Sequence, residues 1–253
     1  MSSQEHVILY LSPSMQVNMG DWWFEIATND HFWIQRRFEV LRKLADALVR
    51  TSVSVAEIGC GNGLLQRELE DSYGKSVVGF ELNELALKRN VSRQSPLYCY
   101  DIHQRSEDFR AAFDLIFLFD VLEHIDDQSA FLQSVKFHMA RSGSLLVNVP
   151  AHQWLYSDYD RAAGHVRRYS VRQLARVAEK NGLKMRSCTY WGLPLLPLLL
   201  IRKAIHLDRA DGRAGFDSRG WLINSGLSFL SRIELLPQSV MGTSVMAVFE
   251  NQA

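Results

Sequence analysis

Cysteine is scarce in this chain. There are three, Cys60, Cys99 and Cys188, an odd number with no CxxC spacing. That excludes a disulfide framework and indicates no zinc site; no metal site of any kind is expected, and a reducing, cytoplasmic setting is. Net charge is also absent, 28 basic residues against 28 acidic. A nucleic-acid binder built on phosphate contacts is therefore excluded as a class, and no nucleic-acid partner is expected. No uninterrupted apolar run approaches the roughly 20 residues of a membrane-spanning helix. The amino-terminal MSSQEHVILYLSPS lacks the basic start and apolar core of a secretory signal. Internal repeats and low-complexity tracts are missing too. What remains, 47% hydrophobic and 22% charged over 253 residues, is the composition of a soluble domain able to bury a full core.

The zero total hides an imbalance. Residues 1–160 carry 14 Lys and Arg against 22 Asp and Glu, whereas residues 161–253 carry 14 against 6. The second part is thus suited to an acidic ligand or surface, or the two parts neutralise each other.

The chain is organised around Val55 to Gly63, VAEIGCGNG. An apolar run holding Glu57 breaks into Gly59, Gly61 and Gly63, with Cys60 between the first two. LLQRELE then opens a helix. Strand, tight turn and helix start let backbone N–H groups approach a ligand with no side chain in the way.

Before it, DHFWIQRRFEVLRKLADALV places Phe32, Ile34, Phe38, Leu41, Leu44 and Leu48 at helical spacing, with Asp30 as the expected N-cap. The first thirty residues read as irregular. After it, apolar runs and helical patterns alternate. SVVGFE is a second strand ending on Glu81, and Asn83 caps a short helix. LYCYD is a third strand ending on Asp101. FDLIFLFD, apolar on both faces, is a fourth, leading to Asp120. A helix over about 127–139 precedes a fifth strand, SGSLLVNVP. Such alternation predicts a parallel sheet with helices on both faces, and acids at three successive strand ends share its carboxyl edge. Beyond Pro150 a segment dense in Tyr, His and Arg leads to a Ser170–Gln173 capping box, a helix, and the strand LKMRSCTYW. GLPLLPLLLIRKAIH is either buried or laid on a membrane surface through residues 193–206. TSVMAVFE is a last strand, at the edge or inserted antiparallel.

The glycine pattern excludes two ligands. GCGNG fails the third position of GxGxxG, and no Lys or Ser/Thr follows Gly63 as a phosphate loop requires. Carboxylates at Glu81 and Asp101 repel a pyrophosphate but accept hydrogen bonds from ribose hydroxyls and an adenine amine. They also attract a sulfonium and an ammonium, so S-adenosylmethionine fits.

EIGCGNG resembles the first motif of class I S-adenosylmethionine-dependent methyltransferases, and GFELN, YDIHQ and FDLIFLFDVLEHIDD resemble the next three, in order, over about Val53 to Pro150. The resemblance implies a single Rossmann-like α/β domain with a seven-stranded, mostly parallel sheet in the order 3-2-1-4-5-7-6. It also implies helical cap elements, with the core over about 40–190 and 240–250 and the caps over about 1–39 and 191–235. By position, Gly59, Cys60, Gly61 and Gly63 bend around the methionine part, ordered from behind by Glu57. Glu81 holds the ribose hydroxyls with Leu82 against adenine, Asp101 takes the adenine amine beside Ile102, and Asp120 lies at the methionine end. NDHFWIQRRFEVL and VPAHQWLYSDYDRAAGHVRRYS also resemble a bacterial methyltransferase 11/12-like branch, departing from it at Tyr159 and Val166. Its members are often tied to small-molecule or lipid-linked glycan pathways.

The expected reaction is methyl transfer to a small-molecule or lipid-linked acceptor, at oxygen first, with carbon or nitrogen as alternatives and a non-catalytic cofactor-binding regulator as the rival from another class. A hydroxyl acceptor needs a base, for which His124, His152 and His165 are candidates. Trp33, Trp154 and Tyr156 are candidate acceptor walls or plain core aromatics. Arg168, beside Tyr169, could grip an anion or lie solvated on a helix face. The oligomeric state is not readable.

Overall fold

Strand β5 (Phe113–Phe119) shows why the sheet is covered on both faces. Its side chains alternate: Leu115, Phe117 and Phe119 enter one apolar cluster, while Ile116 and Leu118 enter the other. Each cluster has its own helices. The first is closed by Phe38, Val40 and Leu41 of α1 (Phe32–Thr51) and by Leu65 and Leu69 of α2 (Leu64–Tyr73). The second is closed by Phe131, Leu132 and Val135 of α4 (Gln128–His138) and by Leu174 and Ala178 of α6 (Val171–Lys180). A strand apolar on both faces is stable only between two helical layers.

This arrangement comes from a computed structural model that describes residues 7–17, 27–204 and 221–252. Parts of the expected cap over 1–6, 18–26 and 205–220, including the Gly- and Arg-rich stretch Asp208 to Gly220, lie outside the described residues. The remaining strands are β1 (Ile8–Tyr10), β2 (Val55–Ile58), β3 (Val78–Glu81), β4 (Leu97–Cys99), β6 (Met139–Pro150), β7 (Leu183–Trp191) and β8 (Ser244–Asn251). The remaining helices are α3 (Glu84–Lys88), α5 (Asp158–Ala162), α7 (Leu196–Ala204) and α8 (Trp221–Ser231).

The sheet runs β1-β4-β3-β2-β5-β6-β8-β7. Every pairing is parallel except those of β8, which is inserted antiparallel between β6 and β7. Counted from β2, this is the expected seven-strand order. The eighth strand is a correction: Ile8–Tyr10 pairs parallel with Leu97–Cys99 within a stretch expected to be irregular. Three residues are too few to show a period, and what holds β1 is the neighbouring edge, where Ile8 packs against Leu87, Leu97 and Cys99.

Local signals hold at most element ends. Asn83 Oδ1 accepts from the Ala86 N–H at 3.0 Å, and Ser170 with Gln173 forms the capping box of α6. The cap of α1 differs. His31, not Asp30, takes the position, its Nδ1 accepting from the Trp33 N–H at 3.2 Å. Asn224 Oδ1 of α8 accepts from the Phe32 N–H at 2.9 Å, a partner far away in sequence.

The apolar stretch around α7 is divided. Leu195 and Leu196 are buried, while Leu198 and Ile201 are 46% and 57% exposed. Residues 205 and 206 lie outside the described residues.

Candidate active site

The chain passes from β2 to β3 and β4 on one side, then crosses to β5 on the other, leaving a crevice at the carboxyl ends of β2 and β5. A cavity of about 460 Å³ occupies it. Its wall is built first by the glycine turn. Gly59, Gly61 and Gly63 all have left-handed backbones, with φ of 72, 53 and 76°. At Gly59 a Cβ would stand 2.5 Å from Val121 Cγ2, so only glycine lets this turn lie against the loop after β5. The Gly59 and Cys60 N–H groups donate to the Phe80 carbonyl at 2.8 and 3.1 Å, fastening the turn to β3.

Glu81 completes the fastening. Its Oε2 accepts from the Gly61 N–H, and its Oε1 accepts from the N–H groups of Leu82 and Asn83, all at 2.8 Å. Burial raises this carboxyl above the ordinary range although three N–H groups oppose the rise. Glu57 is more exposed to that effect. It is 3% exposed, and its buried Oε2 meets no donor. Burial, against the opposing charge of Arg37 and with the like charge of Glu81, pushes it up to about 8.

Asp120 follows β5 with φ 55°. Its Oδ2 lies 2.5 Å from Arg37 Nη1, and its Oδ1 accepts from Asn148 Nδ2 at 2.6 Å. Asp101 is displaced from its expected strand end: β4 stops at Cys99, and Asp101 instead caps the turn Ile102–Gln104, accepting from the His103 N–H at 2.9 Å.

The structure brings Glu57, Gly59, Cys60, Gly61, Glu81, Leu82, Asp101, Ile102, Asp120 and His124 to this one cavity. Gly63 is placed otherwise, as the left-handed N-cap of α2. Two groups of lining residues escaped the sequence reading. Met15, Gln16 and Val17 border the cavity, anchored by the Met15 N–H donating to the Leu82 carbonyl at 2.9 Å. Arg37 is the other, a buried cation among Asp120, Glu57 and Glu68. Its signal was its position on the apolar stripe Ile34, Phe38, Leu41, where a charge is out of place.

The remaining candidates, His124 apart, stand elsewhere. His165 Nδ1 lies 2.8 Å from Asp160 Oδ1, and the same oxygen accepts from Arg168 Nε at 2.8 Å. Arg168 is 6% exposed, so it is neither a solvated arginine nor open to an anion. Tyr156 donates to the His165 carbonyl at 2.7 Å, and Tyr169 donates to the Leu122 carbonyl at 3.0 Å. These contacts make the segment a brace behind the loop after β5. Trp33 packs on Trp191 with ring centres 4.3 Å apart, Trp154 is 51% exposed, and His152 stacks on Tyr190 at 4.9 Å. His124 lies on the cavity wall, its Nδ1 3.1 Å from the Gly164 carbonyl. Burial and the neighbouring His165 lower it to about 4.

The cavity suits a zwitterionic, cationic-sulfur nucleoside. A glycine cradle admits close backbone approach, the unpartnered Glu57 Oε2 awaits a donor, and one arginine stands ready for a carboxylate. Fold and site together define a nucleoside-binding α/β protein of the Rossmann-like class. A methyltransferase-domain family model matches residues 30–187, and the chain belongs to that family. The matched span, more than half of the chain, is a methyltransferase domain.

A ubiquinone biosynthesis O-methyltransferase of Idiomarina loihiensis is 27% identical over 110 residues, covering 40% of this chain and 45% of that protein. The chain thus matches less than half the length of this curated relative. Two solved structures share the fold. An Archaeoglobus fulgidus SAM-dependent methyltransferase aligns with TM-score 0.55 at 15% identity, over 91% of this chain and 98% of its own. A Thermotoga maritima SAM-dependent methyltransferase aligns with TM-score 0.59 at 15% identity, over 92% and 94%.

Proposed function

We propose that the chain methylates an oxygen of a small-molecule or lipid-linked acceptor. When bound, S-adenosylmethionine supplies a methyl group already activated on a positively charged sulfur. The protein's work is then to place the acceptor about 3 Å from that methyl group in a dry pocket. Glu57 and Asp120 would hold the ammonium, Arg37 the carboxylate, Glu81 the ribose hydroxyls and Asp101 the adenine amine. Leu82 and Ile102 would flank the ring.

The observation that carries the choice of oxygen is His124. A partnerless, buried Nε2 on a cavity-wall residue is of use to a hydroxyl acceptor, whose proton must be lost or weakened before it attacks, whereas a neutral amine attacks with its own lone pair. The Idiomarina relative is named for O-methylation, which agrees with this choice.

Exposed Leu198, Leu200 and Ile201 support a lipid-linked acceptor, met by peripheral contact of residues 193–206 with a membrane surface. No helix of the described residues is long and apolar enough to cross a membrane.

The test is incubation of the protein with methyl-labelled cofactor and an extract of the cells that make it. Label in an ether or ester of a small-molecule or lipid fraction is the expected result. Label on nitrogen or carbon would replace the oxygen assignment. Tight cofactor binding with no label in any fraction would favour the non-catalytic regulator. Salt-sensitive sedimentation with anionic vesicles is expected for the membrane contact, and its absence would retire that part.

A further inference from the structure

Behind the His124 wall lies a carboxylate that the reading above leaves without a task. Glu123 is 0% exposed, and neither of its oxygens meets a hydrogen-bond donor. An isolated buried carboxylate costs several kcal/mol even after relaxation, so what faces it matters. His165 Nε2 stands 4.0 Å from its Oε1, beyond hydrogen-bond reach. The His124 and His165 rings meet edge to face with centres 4.9 Å apart. One ligand atom from each of Glu123, His124 and His165 lies within 4.8 Å of the others.

Both rings are held so that a lone pair points inward. His124 Nδ1 is 3.1 Å from the Gly164 carbonyl, which can only accept, so Nδ1 carries the proton. The bare Nε2 is buried and has no partner. His165 Nδ1 is 2.8 Å from Asp160 Oδ1. The same oxygen accepts from Arg168 Nε at 2.8 Å, so it accepts from His165 as well. In neutral His165 the Nε2 is then also a lone pair. The two segments are locked in register by the Val166 N–H donating to the Glu123 carbonyl at 2.9 Å. Two imidazole lone pairs therefore converge on the Glu123 carboxyl.

We propose that Glu123, His124 and His165 bind a divalent first-row transition cation such as zinc or manganese at the edge of the cofactor cavity. One carboxylate and two imidazoles suit such an ion and leave positions open for a further ligand. The Gly164 carbonyl and Asp160 on the two Nδ1 atoms are the second-shell partners that orient histidine ligands. Tetrahedral ligands at about 2.1 Å from an ion sit about 3.4 Å apart, so binding draws the side chains inward by roughly an ångström.

The inference rests on methyl transfer to oxygen, with His124 then acting through the cation rather than as the base, and it narrows the acceptor. His124 is part of the cavity wall, so the open positions would be filled by an acceptor arriving from the cavity side. They favour one with two neighbouring oxygens, a catechol or vicinal diol, whose hydroxyl pKa the ion lowers. The hydroxyl proton leaves to solvent, the O–C bond forms, and the C–S bond breaks with its electron pair passing to sulfur. Ether, thioether and one proton result.

The test uses the whole chain stripped with EDTA and titrated with Co²⁺, watching the visible d–d absorption, while S-adenosylmethionine affinity is measured on the same sample. One equivalent of Co²⁺, displaced by Zn²⁺, is expected. Glu123→Gln and His165→Gln should each weaken uptake by about 100-fold or more while the variants still bind the cofactor. Protein that binds the cofactor and takes up no Co²⁺ would overturn the site, as would uptake unchanged in both variants. Stoichiometric Co²⁺ without cofactor binding would leave the cation site standing and sink the transfer reading instead.

Discussion

Arg37 Nη1 lies 2.5 Å from Asp120 Oδ2, tying α1 to the residue that follows β5. The same guanidinium sits 5.1 Å from the centre of the Phe119 ring. One side chain thus neutralises an acid, covers an aromatic and supplies a cation at the cofactor cavity.

Replacing it separates these roles. Arg37→Met should lower S-adenosylmethionine affinity by about 1.5–3 kcal/mol, the value of hydrogen bonds to a charged group. Adenosine, which lacks the methionine end, should bind as before. Calorimetric titration of both ligands checks this, and an equal loss for both would move Arg37 away from the methionine end.

Glu57, pushed up to about 8, holds its proton at neutral pH in the free protein. A cationic ligand favours the ionised form, so binding should release close to one proton at about pH 7 and none above about pH 9. Binding enthalpy measured in buffers of different ionisation heat reads this directly. Glu57→Gln should abolish the buffer dependence.

At Gly59 a methyl group meets two obstacles, Val121 Cγ2 at 2.5 Å and a φ of 72°. Gly59→Ala should destabilise the fold by about 1–3 kcal/mol and weaken cofactor binding. Adding Val121→Ala removes the clash but not the backbone strain, so thermal melts of the double variant should recover only part of the loss.

His124 is lowered from 6.5 to about 4, so between those values the unfolded chain binds the extra proton and the folded chain does not. Stability should therefore rise with pH across this window and be lost as pH falls through it, by up to about 3 kcal/mol. Urea unfolding at several pH values in EDTA buffer, compared with His124→Asn, isolates the effect. A variant with the same slope would assign the titration elsewhere.

The α/β alternation and the acids along the carboxyl edge were legible because each depends on local chemistry, and the strand order followed from the family resemblance. β5 announces a doubly covered strand by being apolar at every inner position, and Ser170 with Gln173 announces a helix start within four residues. Glu57, Glu81 and the glycines mark a turn whose backbone needs are met inside one short segment. The misread positions have non-local causes. β1 exists because β4 offers an unpaired edge, and His31 caps α1 where Asn224 also binds its first N–H.

The sequence alone thus determined the glycine turn and the acids Glu57 and Glu81 beside it, since backbone conformation and strand residues are written in short local segments. The tertiary structure decided the rest. Only packing of α1 across the sheet carries Arg37 into the acids, and only the turn after α5 folding onto the loop after β5 faces His165 toward Glu123. The physical reason is that ionic and coordinating geometry depends on distances of a few ångströms between segments remote in sequence. Those distances are fixed when the two apolar layers close on the sheet.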